Sequence, residues 1–548
     1  MLETIIEQSL HNQQAVPSET SIGRAVLGET FDPTSDSTIR GRVREIRIRL
    51  SQYYRNTGAG DPIEVQIPAG GYRARFVRRK TGPIEIPAAE KNKPAPPMKI
   101  GVVPFLVLAE AVPEEFGFNA ALLLAQLLGS APDLAVHGIP VLAGVNGHGA
   151  GLREAFGSLG LGQAIQCTIC VADGSLKATV TLTETASQTI VWSSGFECDT
   201  SDFGFLGRIA DAIATRLANV EPGSLRYRIM PANVVAASHY CQGLRNWAER
   251  TPSSLAEAEK HFRLAVAADP RHAETYSGLA ECALFRAIVG QRPAGLAPVA
   301  LEMAAKAVGC DPESANAHAV LGAVRTIFQF DWAGAEEEFL EAARLNPDST
   351  ALLGWYSGHL AVLGRPDEAI QAATRLEVNE AHSLFITAHV AKVLYYCGDY
   401  EAAISRFRSI LALVPTMDLA HGLLGLALCA QGDMAQGLFH LQRGAELTGR
   451  CDVSLGPLAH YLAQSGKVLQ AEEIALELER RSAVRYVPAT QIAMAWAGLG
   501  RVDEAFHALD RAAEEKDFFL TLLKIWAPLQ GLRSDPRFAA LLQRVGLE

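Results

Sequence analysis

The apolar residues between Asp36 and Asn56 recur at the spacing of an amphipathic helix. They are Ile39, Val43, Ile46, Leu50, Tyr53 and Tyr54. With successive residues turned by about 100°, the opposite face carries Thr38, Gly41, Arg44, Glu45, Ile48 and Gln52, flanked by Arg40 and Arg47 on one side and Arg42 and Arg49 on the other. The pattern predicts a helix with one buried face and one cationic face.

The periodicity changes from helical to alternating after this helix. Residues Ile63 to Ile67 alternate apolar and polar side chains, and residues Tyr72 to Phe76 alternate again after a glycine turn. Two short helices, within 2–12 and 17–27, are predicted ahead of the arginine-rich helix. Residues 1–80 are therefore expected to form three helices followed by a hairpin with arginines on one face.

A spacer separates this region from a mixed α/β domain. Residues 81–98 hold five prolines and no periodic pattern, which is typical of an extended linker. Beyond it, apolar runs predict strands at 99–105, 164–171, 176–185 and 188–192, and helices at 120–128 and 206–217. An α/β domain is expected over 99–222.

The carboxy-terminal half is repetitive. Glycines recur every 34 residues at Gly364, Gly398, Gly432, Gly466 and Gly500, and small residues follow at Ala369, Ala403, Gly437, Ala471 and Ala505. A 34-residue period of this kind is typical of tetratricopeptide (TPR) helix pairs, in which a small side chain lets the two helices approach closely. About eight repeats are expected over 231–515, with a capping segment at 516–548.

Charge is unevenly distributed. Residues 36–80 carry a net charge of +7 although the whole chain of 548 residues carries −11. A basic island on an acidic protein is the charge pattern expected where one small domain meets a polyanion. The alternative to polyanion binding is that the basic residues simply form a solvated helix surface.

The cysteines and the hydropathy of the chain indicate the cellular compartment. Nine scattered cysteines suggest free thiols in a reducing environment, and the single CxxC of Cys167 and Cys170 lacks the second pair that a metal site needs. No stretch reaches the roughly 18 apolar residues of a membrane span. A cytoplasmic protein without membrane contact is expected.

Three resemblances follow from these residues. The pattern FDP..D..IR…R..RL..YY…GAGDPI.V..P.GGY…F, from about Ile22 to Phe76, resembles the DNA-binding domain of OmpR-type winged-helix regulators, most specifically at Gly70-Gly71-Tyr72. The GVVPF opening and the T..IVW strand resemble a TolB-like amino-terminal domain, and the tail DFFLTLLKIWAPLQGLRSDPRFAALLQRVGL resembles the end of TolB-like TPR proteins. These resemblances imply an α+β winged helix, a central α/β TolB-like domain and an all-α TPR solenoid.

The winged-helix resemblance implies double-stranded DNA as a partner. The third helix would enter the major groove and the wing would follow phosphates. Arg44 is expected at base edges together with Thr38, Glu45 and Ile48. The residues expected at phosphates are Arg40, Arg42, Arg47, Arg49, Arg73 and Arg75, with Tyr72 in the wing.

The sequence shows no recognised catalytic motif, set of metal ligands or cofactor-binding motif, so an enzyme is not expected. The glycine-rich segment 144–151 lacks the ending of a P-loop and is interpreted as a connection. The leading hypothesis is a transcriptional regulator whose TPR concave surface binds a protein or peptide, with a homodimer as a further option. The alternatives are a non-catalytic TPR scaffold whose winged helix does not bind DNA, and an accessory of cyclase-type nucleotide signalling.

Overall fold

The computed structural model describes residues 4, 18–27, 39, 42–43, 46, 49–50, 63–67, 74–78, 98–108, 115–128, 134–137, 161–172, 175–199, 205–218, 231–379 and 383–547. The chain divides into two compact units, Met1–Asn92 and Lys93–Glu548.

The first unit is built around a small apolar core. Helix α1 (Glu19–Leu27) contributes Ile22, and strands β1 (Ile63–Gln66) and β2 (Arg75–Arg78) pair antiparallel. The second strand begins three residues later than the alternation of Tyr72 to Phe76 indicated. Ile39 and Val43, both helical, are fully buried in this core. The apolar stripe of the arginine-rich segment therefore faces inward where it is described.

A mixed six-stranded sheet opens the second unit. Its strands are β3 (Met98–Val102), β4 (Leu106–Val107), β5 (Leu134–His137), β6 (Gln163–Ala172), β7 (Ser175–Glu184) and β8 (Ile190–Asp199). They run in the order β5-β3-β6-β7-β8, with β4 also beside β6. The β5, β3 and β6 strands are parallel, and β6, β7 and β8 form an antiparallel meander.

Strand β8 is longer than the sequence indicated. The predicted strand 188–192 ends where Ser193, Ser194 and Gly195 interrupt the apolar run, whereas the observed strand continues to Asp199. Its pairing with β7, which runs from Thr183 opposite Ile190 to Ser175 opposite Asp199, supplies the backbone hydrogen bonds that side-chain pattern does not reveal. Gln188, expected within the strand, instead takes a positive φ of 58° in the turn.

Two helices cover the sheet and join it to the helical region. Helix α2 (Glu115–Leu128) packs on β3 and β5, and α3 (Phe205–Ala218) packs on β8 and on α2. The sulfur of Cys241 in the next helix lies 3.7 Å from the carbonyl oxygen of Asn119 in α2. The α/β layer and the helical region thus share one core.

Among the residues described between 231 and 515, sixteen helices form eight consecutive antiparallel pairs. The pairs are α4 (Val234–Glu249) with α5 (Pro252–Ala268), α6 (Ala273–Ile288) with α7 (Pro293–Cys310), α8 (Ala315–Val324) with α9 (Trp332–Leu345), α10 (Thr350–Val362) with α11 (Pro366–Asn379), α12 (Leu384–Tyr396) with α13 (Tyr400–Leu413), α14 (Asp418–Gln431) with α15 (Met434–Leu447), α16 (Asp452–Gln464) with α17 (Val468–Ser482), and α18 (Ala489–Gly498) with α19 (Val502–Glu515). Helix α8 continues into a π-helical turn, Arg325–Gln329.

Side-chain caps fix where several of these helices begin. Asp331, Asp399 and Asp433 each precede the second helix of a pair and accept a hydrogen bond from the backbone N–H three residues later. Such a cap satisfies one of the free donors at a helix start. None of the helices among the described residues is long and apolar enough to cross a membrane.

The tail after α19 consists of two short 3₁₀ helices, Phe518–Leu522 and Ala527–Leu532, and helix α20 (Pro536–Arg544). Leu520, Leu523 and Leu529 are fully buried. The tail is therefore part of the core.

Candidate protein-interaction site

The first helix of each pair lies on the inner side of the helical region. Helix α6 packs against α8, α8 against α10, and α16 against α18, although each of these helices is separated in sequence by a second helix. Helix α18 is buried at every residue from Ala489 to Trp496. By contrast, second helices keep an exposed face, as at Phe439 on α15, which is 61% exposed.

The late pairs and the tail close onto the early pairs. The indole N–H of Trp332 on α9 donates to the carbonyl oxygen of Val545, with 2.6 Å between the nitrogen and the oxygen. A Cβ at Gly290 after α6 would lie 3.1 Å from Val453 on α16. Arg292 lies 3.8 Å from Glu515. The inner surface is consequently narrow, and the tail occupies part of it.

A cation surrounded by aromatic rings lies on this inner surface. The guanidinium carbon of Arg250 lies 4.4 Å from the ring centre of Phe285, 4.8 Å from that of Trp247 and 5.3 Å from that of Phe385. The Nε atom of Arg250 is buried without a hydrogen-bond partner. Phe385 is 40% exposed, so solvent reaches this cluster.

Two further charged groups adjoin Arg250. Burial and the positive charge of Arg250 lower the pKa of Lys392 on α12 to about 8. Burial raises the pKa of Glu281 on α6 to about 7, against the hydrogen bond from Trp355 and the charge of Arg250. The Trp355 indole nitrogen lies 3.2 Å from Glu281 Oε1. The site therefore combines two cations with a carboxyl group that is partly protonated near neutral pH.

The groups come from four different helix pairs. Arg250 follows the first helix of pair one, Glu281 belongs to pair two, Trp355 to pair four, and His389 and Lys392 to pair five. His389 Nε2 lies 2.9 Å from the Ser357 hydroxyl, and burial holds the pKa of His389 well below its usual range. We call the cluster of Arg250, Glu281, Trp355, Phe385 and Lys392 the inner polar site.

The connections between paired helices repeat every 34 residues. Gly364, Gly398, Gly432, Gly466 and Gly500 have φ values of 75°, 86°, 102°, 85° and 71°. This left-handed conformation ends a helix at low cost only for glycine. Ala369, Ala403, Ala471 and Ala505 are fully buried, and a Cβ at Gly437 would lie 2.9 Å from the backbone nitrogen of Cys429 on the paired helix.

The described helices between residues 231 and 515 form the repeated helix pairs that the 34-residue spacing predicted, and their number agrees with the expected eight repeats.

Comparisons with known proteins add likenesses of fold. No protein-family model matches the chain, and no curated protein matches it. The solved structures similar to it include YrrB, described as a TPR protein with an unusual peptide-binding site, at 18% identity, TM-score 0.25, and coverage of 35% of this chain and 95% of YrrB. Yeast Tom70 follows at 17% identity, TM-score 0.36, and coverage of 59% and 70%. A thermophilic TPR protein of Thermus thermophilus has 20% identity, TM-score 0.30, and coverage of 35% and 99%.

Most aromatic and histidine side chains of the TPR first helices are core residues. Tyr356, His359, His421, His460 and Tyr461 are each no more than 7% exposed. Trp355 and His389, by contrast, are half-buried.

Sequence reasoning did not single out Arg250, Glu281 or Lys392. A usable signal was present, because Arg250-Thr251-Pro252 aligns with Gly364-Arg365-Pro366 and so places arginine where later repeats have glycine. Lys392 is the one lysine in the eight described first helices.

The candidate DNA-contacting residues are described only in part. Arg42 and Arg49 are helical and exposed, on a flank of the segment whose Ile39 and Val43 are buried. Arg75 begins β2. The others lie outside the described residues: Thr38, Arg40, Arg44, Glu45, Arg47, Ile48, Tyr72 and Arg73.

The CxxC motif does not form a paired site. Cys167 and Cys170 lie on β6, where residues three apart face opposite sides of the sheet. Cys167 is buried, which raises the pKa of its thiol to about 12, and Cys170 is half-buried. The eight cysteines whose side chains are described are free. The glycine-rich segment 144–151 lies outside the described residues.

Proposed function

We propose that the protein is a non-catalytic scaffold that recruits a protein or peptide partner through the inner face of its TPR solenoid. The observation that carries the proposal is the inner polar site, where side chains from four helix pairs converge on a solvent-reached surface. A solenoid presents such a surface to an extended ligand because each repeat adds one strip to it. Free cysteines agree with a cytoplasmic setting.

Site-specific photo-cross-linking tests this proposal. The photo-reactive residue p-benzoyl-phenylalanine replaces Phe385 at the inner polar site in one protein and Phe439 on the outer face in another. Both positions are aromatic and exposed, at 40% and 61%. We expect a defined cross-linked partner from position 385 that is absent from position 439. Cross-links from position 439 alone, or from neither position, would contradict the proposal.

We also propose DNA binding by the amino-terminal unit as a second function. Its support is the separation of apolar and basic side chains in the arginine-rich segment. Ile39 and Val43 are buried in the core, while Arg42 and Arg49 are exposed. A hairpin that continues into Arg75 completes the same small core. In this proposal Arg44 reads base edges and the flanking arginines hold phosphates.

Salt-dependent binding of the full chain to duplex DNA tests this second function. Affinity that falls about 10³-fold or more between 50 and 200 mM salt is expected for six or more phosphate contacts. Arg42→Ala combined with Arg49→Ala should weaken binding to all sequences, and Arg44→Ala should relax sequence preference. Arg263→Ala on α5 is the control. Equal binding by all four proteins would contradict DNA recognition by this helix.

For the central α/β region we propose a TolB-like fold. Its support is the quoted sequence pattern together with two helices on one mixed sheet.

A further inference from the structure

Arg250 occupies a backbone position that favours glycine. Its φ is 54°, in the left-handed region, and the structurally equivalent residues of five later repeats are glycines with φ between 71° and 102°. A non-glycine residue is strained there, and such strain persists where the surroundings over-determine it. In this first repeat the strained position directs a guanidinium onto the inner face.

The guanidinium has aromatic neighbours, and the carboxyl group of Glu281 acts on it electrostatically without forming an ion pair. Three rings surround it, and no hydrogen bond or ion pair of its side chain is formed with any part of the chain that the structure describes. Nearby Glu281 instead accepts the indole N–H of Trp355. A buried arginine normally has its donors satisfied, because an unmatched charged donor is costly.

Lys392 presents a second ammonium group without an ion-pair partner among the described residues. Lys392 lies on α12, about two helical turns beyond Phe385. Both residues are on the face of α12 that is turned toward Arg250. Arg365, by comparison, forms ion pairs with Glu336 and Glu368. Arg250 and Lys392 thus bring two cations to the inner polar site.

We propose that the inner polar site binds an aspartate or glutamate side chain of a partner peptide, whose carboxylate bridges Arg250 and Lys392 while the neighbouring peptide stem packs on Phe385. Charge complementarity identifies the occupant, since two cations against the single carboxyl group of Glu281 leave an excess of positive charge in a partly desolvated groove, which favours a carboxylate. The proposal rests on the interaction function proposed above and names its ligand chemistry.

The variants Arg250→Gly and Lys392→Met separate recognition from folding. Arg250→Gly restores the residue that the equivalent position carries in other repeats, so thermal stability should be retained or raised. Lys392→Met keeps the apolar stem and removes the charge. Lys260→Met on the outer surface of α5, where Lys260 pairs with Glu257 at 3.1 Å, is the matched control.

Peptide display provides the test. Random dodecapeptides with amidated carboxy termini, which exclude the terminal carboxylate, are selected on the full chain, and the best binders are measured by fluorescence anisotropy. We expect enrichment of Asp or Glu at one position, at least a tenfold rise in Kd for each variant and for the Asn or Gln version of the peptide, and no change for Lys260→Met.

The outcomes distinguish this proposal from the wider one. Selected peptides without enrichment of Asp or Glu would overturn the carboxylate site but leave the interaction function standing. The same conclusion would follow if both variants bound the selected peptides as tightly as the parent protein does. A selection that yields no binder would overturn both.

Discussion

At the scale of single residues, Glu336 holds pairs three and four of the solenoid together. Its Oε1 accepts from the Tyr356 hydroxyl at 2.6 Å and from Arg365 at 2.8 Å, and its Oε2 lies 3.1 Å from His359 Nε2. Burial raises the pKa of Glu336, but the contact with His359 and the hydrogen bonds from Tyr356 and Arg365 outweigh burial and bring the pKa to about 2. The charged form is therefore the one that stabilises the fold.

Replacing this carboxylate is expected to cost stability. Glu336→Gln should lower the free energy of unfolding by about 2 kcal/mol, since it weakens charge-assisted hydrogen bonds in a half-buried network. Urea unfolding measures the change. Glu341→Gln on the same helix, which removes an exposed pair with Arg344, should cost no more than about 0.5 kcal/mol. Equal effects of the two substitutions would contradict the role given to Glu336.

A buried histidine makes stability sensitive to acid. His460 Nδ1 lies 3.2 Å from the Met494 carbonyl oxygen, and its Nε2 lies 2.9 Å from the Gln464 amide nitrogen, an arrangement that fits the neutral ring. Burial lowers the pKa of His460 to about 4, against the backbone hydrogen bond to Met494.

Stability should consequently fall as the pH drops from about 6.5 to 4, because the unfolded chain takes up a proton that the folded chain excludes. The loss attributable to this ring is on the order of 3 kcal/mol. The measurement is the free energy of unfolding against pH for the parent and for His460→Gln. The difference between the two curves should shrink toward acid, and parallel curves would rule out this contribution.

At the scale of helix pairs, small residues set how closely two helices approach. Gly437 on α15 faces α14, where a Cβ would meet the Cys429 backbone nitrogen at 2.9 Å and the Gly425 carbonyl oxygen at 3.0 Å. Backbone atoms cannot yield as a flexible side chain can. This spacing constraint explains why the 34-residue pattern was readable without a structure.

Gly437→Val should therefore force α14 and α15 apart and lower the free energy of unfolding by about 2 kcal/mol or more. Gly422→Ala on α14 is the control, since no atom lies within 4 Å of its added Cβ and alanine favours a helix. In thermal unfolding, the melting temperature of Gly437→Val should lie below that of the parent protein and that of Gly422→Ala above it. A harmless Gly437→Val would contradict close packing at this position.

At the scale of the whole helical region, a contact between residues 213 positions apart closes the solenoid. The Trp332 indole is 8% exposed and donates to Val545, and a Cβ at Gly546 would lie 3.1 Å from the same ring. The tail predicted as a cap of the last repeat therefore also covers the third pair. Part of the concave surface expected for a partner is filled by the chain itself.

Trp332→Phe should loosen this closure while keeping an aromatic ring in place. Loss of the hydrogen bond should cost about 1 kcal/mol and speed amide hydrogen exchange in residues 536–547. Trp496→Phe removes an indole contact between Trp496 on α18 and Glu479 on the neighbouring helix α17, and should leave exchange in the tail unchanged. Unaltered tail exchange in Trp332→Phe would argue against the closing role of this bond.

The sequence by itself determined the repeat architecture of this protein. Glycine at a left-handed turn and a small residue at a helix crossing are local requirements that recur with the period of the unit, so Gly364 to Gly500 and Ala369 to Ala505 revealed the pairs. Strands β6 and β7 were predictable from their apolar residues, whereas the polar extension of β8 depended on its neighbour.

Only the tertiary structure decided which distant residues meet. Each helix pair is rotated slightly relative to the pair before it. These rotations add up along the solenoid, and no local sequence pattern predicts their total. That sum brings the tail against Trp332, and it brings Lys392 and Phe385 of the fifth pair to Arg250 of the first. The repeats were therefore evident from sequence, and the inner polar site was not, because its members are neighbours only after folding.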